Sequence, residues 1–276
     1  LEEGDESSVP DLASHLSELE LWTGDWAAAE RHARVSLDVA ERADQGLVRG
    51  IGLYCRALVD AHLGRVASAR AYAEEGLGLG RERPDLWLEG ICLWVLGFLD
   101  LSVDDPEAVE RHLSRADEIA EAIGLVEPGQ WRFHPDRIEA LIQMGALERA
   151  DALLARYRAR ARAVERPHAL AAAERCRGLL AAARGDLDPA LEALGESLAG
   201  YERLPLPFER ARTLLALGSA ERRAQHKRVA RETLEQALGS FERLGAALWA
   251  AKTRSELGRI GGRRAPTRGA LSETEA

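Results

Sequence analysis

Histidine and cysteine are the residue types best suited to chemistry in this chain, and their spacing offers little of it. His15, His32, His62, His112, His134, His168 and His226 form no H-E-x-x-H pair and no other zinc-ligand spacing. Cys55, Cys92 and Cys176 contain no C-x-x-C pair. The expectation is buried free thiols, which suits a reducing cytoplasm. No G-x-S-x-G elbow, no calcium loop and no G-x-x-x-x-G-K-[ST] phosphate loop occurs. Nearly all of the carboxylates fit the charged outer faces of amphipathic helices. The chain therefore reads as no enzyme, with no catalytic residue, no metal site and no cofactor of its own. What remains is recognition chemistry, and that depends on the elements presenting it.

Those elements follow from an internal repeat. Gly24-Asp25-Trp26-Ala27-Ala28-Ala29 aligns with Gly64–Ala69, Gly145–Ala150 and Gly185–Ala190, and weaker copies lie at Asp104–Val109 and Gln225–Ala230. The sixth residue of each block is Ala29, Ala69, Val109, Ala150, Ala190 and Ala230, at intervals of 40, 40, 41, 40 and 40. Four residues later come Ala33, Ala73, Leu113, Leu154, Leu194 and Leu234, one face of a helix. Gly97, Gly178 and Gly218 share a position seven residues before the turn. Glycine inside a helix costs about 1 kcal/mol relative to Ala, so a shared reason is expected: close approach to the small residue of the next helix. Each unit reads as helix A, a turn and helix B. Pro84, Pro128, Pro167, Pro205 and Pro207 fall between units, and Pro106 and Pro189 fall in first turns of B helices. The fold class is all-α, a solenoid of about six hairpins over residues 1–260, with a last helix at Ala246–Leu257 covering the open end.

Composition agrees. The 276 residues carry 37 Lys and Arg against 46 Asp and Glu, a net charge of −9, with 46% hydrophobic residues. That is too apolar for disorder and too acidic for a nucleic-acid binder in its own right. The apolar run Gly90–Leu99 ends at Asp100, short of the roughly 20 residues a membrane span needs.

The pattern resembles the tetratricopeptide repeat, through the helical Gly178, the turn Gly185-Asp186 and Ala190, but with a period of 40. The resemblance implies that A helices line a concave groove. Its groove positions fall on Tyr54 and His62, Trp94 and Phe98, then Arg132, Glu139 and Gln143, then Arg175, Arg212 and Ser219. Arg captures carboxylates bidentately and aromatic rings give rigid contact area. Such a groove would hold an amphipathic or acidic ligand, either a small-molecule effector or a peptide or protein. Two readings stand for each group. The aromatics either line the groove or fill the core between units. The arginines either capture ligand or form solvated or ion-paired surface. The cluster Trp131–Arg137 sits where the repeat gains a residue. Its Pro135 should hold His134 out of the helical region, and its aromatics either staple the junction or rim the groove.

A narrower resemblance lies at the C-terminal end. Gln225–Arg264 is similar to the last repeat of the large ATP-binding LuxR-type transcriptional regulators, relatives of the maltose-regulon activator, and Leu271–Ala276 resembles the opening of their DNA-binding domain. Gly4–Ser8 and Arg132–Asp136 also resemble stretches of that family's repeats. The resemblance implies an effector-sensing and interaction domain of a cytoplasmic activator. ATP would be expected only in an upstream ATPase module. DNA would be reached only through a helix-turn-helix whose start and linker occupy 261–276. Self-association is also implied. The runs Arg222–Arg228 and Arg259, Arg263, Arg264 and Arg268 are either solvated or near DNA phosphates. The rival expectation is a peptide-binding scaffold that senses nothing.

Overall fold

The computed structural model describes residues 8–42 and 46–261. Over these residues the chain is an all-helical α-solenoid. Its helices are α1 (Val9–Thr23), α2 (Trp26–Arg42), α3 (Gly46–Leu63), α4 (Val66–Glu82), α5 (Leu86–Ser102), α6 (Pro106–Ala122), α7 (His134–Gln143), α8 (Leu147–Ala163), α9 (Pro167–Arg184), α10 (Leu187–Tyr201), α11 (Pro207–Arg223), α12 (Lys227–Leu244) and α13 (Ala247–Gly261). The first twelve form six hairpins, and α13 stands as a seventh A helix. The residues beyond Gly261, with the expected linker and DNA-binding start, lie outside the described residues, as do Gly4–Ser7.

One capping geometry closes the A helix of each of the six hairpins. The first turn residue is left-handed at Gly24, Gly64, Asp104, Gly145, Gly185 and Gln225, with φ between 62° and 97°. The next residue returns its N–H to the carbonyl five positions back, from Asp25 to Glu20 through His226 to Glu221, at 2.8–3.0 Å. This is a Schellman closure. Asp104 and Gln225 adopt the same backbone without glycine, at a steric cost of about 1–2 kcal/mol. The weak sequence copies are therefore full structural copies.

The in-phase glycines do make room, chiefly for a leucine and not for the small residue before it. A Cβ on Gly178 would lie 2.5 Å from Leu194 Cγ and 3.0 Å from the Ala190 carbonyl oxygen. On Gly218 it would lie 2.6 Å from Leu234 Cγ. Leu194 and Leu234 are fully buried and have no room to retreat. Gly178→Ala should thus destabilise the fold by about 1–2 kcal/mol in urea unfolding. Overpacking of about 1–3 kcal/mol outweighs the helix-propensity gain of about 1 kcal/mol.

Two features depart from a uniform stack. The first is α7, with 10 residues against 17 in α5. In place of its first two turns, the segment 123–133 carries Trp131 and Phe133 inward, both buried. Trp131 fills the space above Gly90 of α5, so these aromatics staple the junction. His134 is the first residue of α7, although it precedes Pro135. A 3.2 Å bond to Asp117 and stacking between Phe133 and Tyr157 offset the pre-proline bias.

The second departure is closure. As the sequence leads one to expect, α13 packs on α12 and covers the open end of the stack, but the same reading leaves the groove beside it long and open. Instead, α11 and α13 reach across the concave side to the first three units. Trp26 meets Phe208 at 5.7 Å between ring centroids, and Phe98 stacks on Trp249 at 6.4 Å. Trp249 Nε1 donates to Ser102 Oγ at 3.1 Å, and Lys252 Nζ donates to the Leu101 carbonyl at 2.7 Å. Burial of these rings draws the ends of the superhelix together. It also explains the apolar run of α5, where every residue from Leu88 to Ser102 is buried. Units one to three and the sixth unit with α13 share one core. Among the described residues no helix is long and apolar enough to cross a membrane.

Candidate functional site

Closure leaves an inner chamber whose walls are A helices. Residues three or four apart on such helices share a face, which brings Arg175 of α9, Glu209 and Arg212 of α11, and Asp136 and Glu139 of α7 to one place. Arg175 Nη1 donates to Glu209 Oε2 at 2.6 Å. Arg212 Nη2 donates to Glu139 Oε2 at 2.9 Å, and its Nη1 lies 3.5 Å from Glu209 Oε1. Arg212 Nη1 also lies 2.7 Å from Asp136 Oδ1. That contact is off the hydrogen-bond axis, so Oδ1 gains charge proximity without a bond. The Arg212 guanidinium covers the Trp249 ring at 4.7 Å and ties the cluster to the closing helix.

Three cations in the chamber have donors to spare; on Arg212 it is Nε. Arg175 is 1% exposed, yet its Nε and Nη2 have no partner. Arg132 makes no ion pair among the described residues. Its Nε donates weakly to the Gly129 carbonyl at 3.4 Å, and its guanidinium lies over Trp22 at 4.6 Å. Buried donors left unbonded, as on Arg175, cost about 1–3 kcal/mol each, so an anion held between Arg175 and the unpaired charge of Arg132 would bring most.

Three cavities meet at these residues. The central one, about 40 Å³, is walled by Arg132, Arg175, Glu209, His168 and Tyr201. It has room for a few waters or one carboxylate. A cavity of about 400 Å³ adjoins it at Trp22, Trp94 and Arg132, walled also by Trp87, Trp131, Tyr54 and Glu18. One of about 410 Å³ adjoins it at Arg175 and Arg212, walled also by Glu139, Gln143, Ser219 and Lys252.

The electrostatics follow the pairing. Burial would push Glu209 upward, but Arg175 and Arg212 override it and bring its pKa down to about 2. Asp136 goes the other way: burial pushes it up to about 6 despite Arg212. Burial also lowers His62 and His168 to about 4, so both are neutral at pH 7. Burial likewise lowers Arg132.

These shifts have opposite signs in stability. The Glu209 contribution is present above its unfolded value near 4.5 and is lost as pH falls towards 2. Asp136 has a folded pKa above its unfolded 3.8, so its contribution is present below 3.8 and is lost as pH rises through 6. Wild type compared with Asp136→Asn should therefore look better at pH 5 than at pH 7.5, as read from denaturant midpoints at both values.

The structure brings most of the expected groove residues together, in a closed interior. Tyr54, His62, Trp94 and Phe98 are 3–4% exposed. Tyr54 donates to Glu18 at 2.5 Å, and His62 packs on Phe98 at 4.3 Å between ring centroids while its Nδ1 donates to the Leu58 carbonyl. Arg175 and Arg212 are buried ion pairs, not surface. Gln143 and Ser219 line the larger polar cavity. Of the basic runs, Arg222 pairs with Glu256 at 3.0 Å and Arg228 with Glu232 at 2.7 Å. Arg263, Arg264 and Arg268 lie outside the described residues.

Several carboxylates are exceptions to the outward placement expected of nearly all of them. Asp60, Asp100, Asp117 and Asp136 are buried. Glu20, Asp60, Asp100 and Glu221 occupy one repeat position on the A helices. Three of them bond into helix B: Glu20 to His32 at 2.7 Å, Asp60 to Ser68 at 2.7 Å, and Asp100 to His112 at 2.8 Å. A carboxylate recurring in register was the available signal. His32 and His112 are the partners of Glu20 and Asp100. The thiols of Cys55, Cys92 and Cys176 are free and buried. Among the described residues no group of three or more His, Cys, Asp or Glu could hold a metal.

The fold defines the class: an α-solenoid of tetratricopeptide-like helical hairpins. No protein-family model matches the sequence, and no curated protein matches it. Among solved structures, a Rap protein complexed with competence and sporulation factor superposes with a TM-score of 0.64 at 15% identity, covering 93% of this chain and 75% of that one. BtubC (BKLC) from P. vanneervenii gives a TM-score of 0.54 at 16% identity, covering 94% and 98%. The TPR2AB domain of yeast Sti1, in a pHSP90 complex, gives 0.38 at 13% identity, covering 92% and 99%. At such identities the likeness to the first two is one of fold.

Proposed function

We propose that the chain is a binding module that seats a peptide or small organic acid in the tryptophan-walled cavity, with the ligand's carboxylate on Arg132. The observation that carries this reading is the Arg132 guanidinium: it lacks a carboxylate partner, stacks on Trp22, and stands between the 400 Å³ cavity and the unbonded donors of Arg175. Trp22, Trp87, Trp94 and Trp131 would take the apolar body of the ligand. A similar fold was solved with competence and sporulation factor bound, which supports a peptide or protein partner over a catalytic role. The test is tryptophan fluorescence titration with hydrophobic hexapeptides, free or amidated at the C-terminus, and with aromatic carboxylic acids. Binding should fall tenfold or more on amidation and in Arg132→Gln. Binding that survives both changes, or no binding to any probe, would remove the reading.

A second reading makes the same module the effector sensor of a LuxR-type ATP-binding activator working in the cytoplasm. The similarity of Gln225–Arg264 to that family favours it. So does the contact of Arg212 with Trp249, because α13 leads toward the stretch resembling a DNA-binding domain. A ligand preferring one curvature would shift the population of states. ATP, DNA and self-association belong to this reading alone. Operator binding by the protein with its flanking modules, unchanged by any chamber ligand, would count against it.

A further inference from the structure

The outward face of α1 is apolar, and the repeat register shows what such a face is for. Leu12 and Leu19 are 63% and 61% exposed, flanked by Val9 and Leu16 on the same stripe. One repeat later, the position of Leu12 is Gly52, where a Cβ would lie 2.7 Å from the Leu37 Cα of α2. Two repeats later it is Cys92, whose Sγ would meet a Cβ on Gly76 of α4 at 2.8 Å. In the sixth unit it is Thr213, whose hydroxyl lies 3.3 Å from Ser197 of α10. The position of Leu19 becomes Val59, Leu99, Leu180 and Ala220, each at most 3% exposed. In these units, then, the stripe is where an A helix receives the B helix of the unit before it. A terminal repeat of a solenoid requires a polar outer face to stay soluble, and α1 carries leucines there instead.

We propose that this face is a stacking interface for a further helical repeat, whose second helix has the pattern of α2 and α4. Such a helix presents small or aliphatic residues three or four apart, as Leu37 and Ala40 do on α2, both of them buried. The interface continues the one already made between α2 and α3. A second copy of this chain is the competing occupant.

The test extends the chain: a duplicate of residues 26–47 is joined ahead of Ser8, so that a copy of α2 precedes α1 in the native register. The extended chain should melt about 3–6 °C higher, and its α1 amides should exchange more slowly with solvent. Leu12→Asp with Leu19→Asp should abolish both gains while leaving the melting temperature of the unextended chain unchanged. No added protection of α1, or gains that persist in the double variant, would overturn the proposal. So would a concentration-dependent dimer of the unextended chain that Leu12→Asp with Leu19→Asp returns to monomer.

Discussion

Arg212→Ala is expected to destabilise the fold by about 3–5 kcal/mol, because it strips the counter-charge from carboxylates on two helices in a closed interior. Asp136, Glu139 and Glu209 lie 2.7, 2.9 and 3.5 Å from its guanidinium nitrogens. The cost should shrink as pH is lowered, since protonation removes the charges left unpaired. Urea unfolding at pH 7.5 and pH 4 reads both statements. Arg132→Gln is the internal contrast: it breaks no ion pair, so it should change ligand binding far more than stability. A loss of equal size in the two variants would mean that Arg132 is a structural cation as well.

Trp249→Ala should cost a comparable amount, about 3–5 kcal/mol, through a cavity in a close-packed aromatic centre. Trp249 is 3% exposed and packs against Phe98, Phe208 and Phe241, with centroids 5.6–6.4 Å away. Its loss also frees Ser102 and uncovers Arg212. Trp249→Phe keeps the ring contacts and gives up the bond to Ser102, so it should lose only about 1 kcal/mol. Guanidinium denaturation of the two variants separates packing from the hydrogen bond. A small effect of Trp249→Ala would mean that α13 frays from the concave side without consequence.

The units themselves were legible because their signals are local. The alanines at Ala29, Ala69, Ala150, Ala190 and Ala230 and the left-handed turn residues recur on a fixed period, and each acts within its own hairpin. The inward-facing positions were legible too, as far as register goes. Glu139 and Arg212 stood on one expected groove, and the structure joins them at 2.9 Å across 73 residues of sequence. What the period could not carry is superhelix curvature, which sums small rotations over all the units. Contacts such as Trp249 with Ser102, 147 residues apart, depend on that sum. The shortening of α7 was hidden for another reason. A proline and an extra residue mark a junction, but they do not say that Trp131 will take the place of two helical turns.

Closure of the superhelix is the claim on which the chamber depends, and a cross-link tests it directly. A Cβ at Gly64 would lie 3.5 Å from the Ala247 Cβ, inside the range of about 3.5–4.5 Å for a disulfide. Cys55, Cys92 and Cys176 are buried and should not compete. Gly64→Cys with Ala247→Cys, mildly oxidised at low protein concentration, should form one intramolecular disulfide in nearly every molecule; the left-handed backbone at Gly64 costs a side chain about 1–2 kcal/mol, so the readout is the cross-link and not the melting temperature. Thiols that stay free, or that pair only between molecules, would show an open solenoid with no chamber.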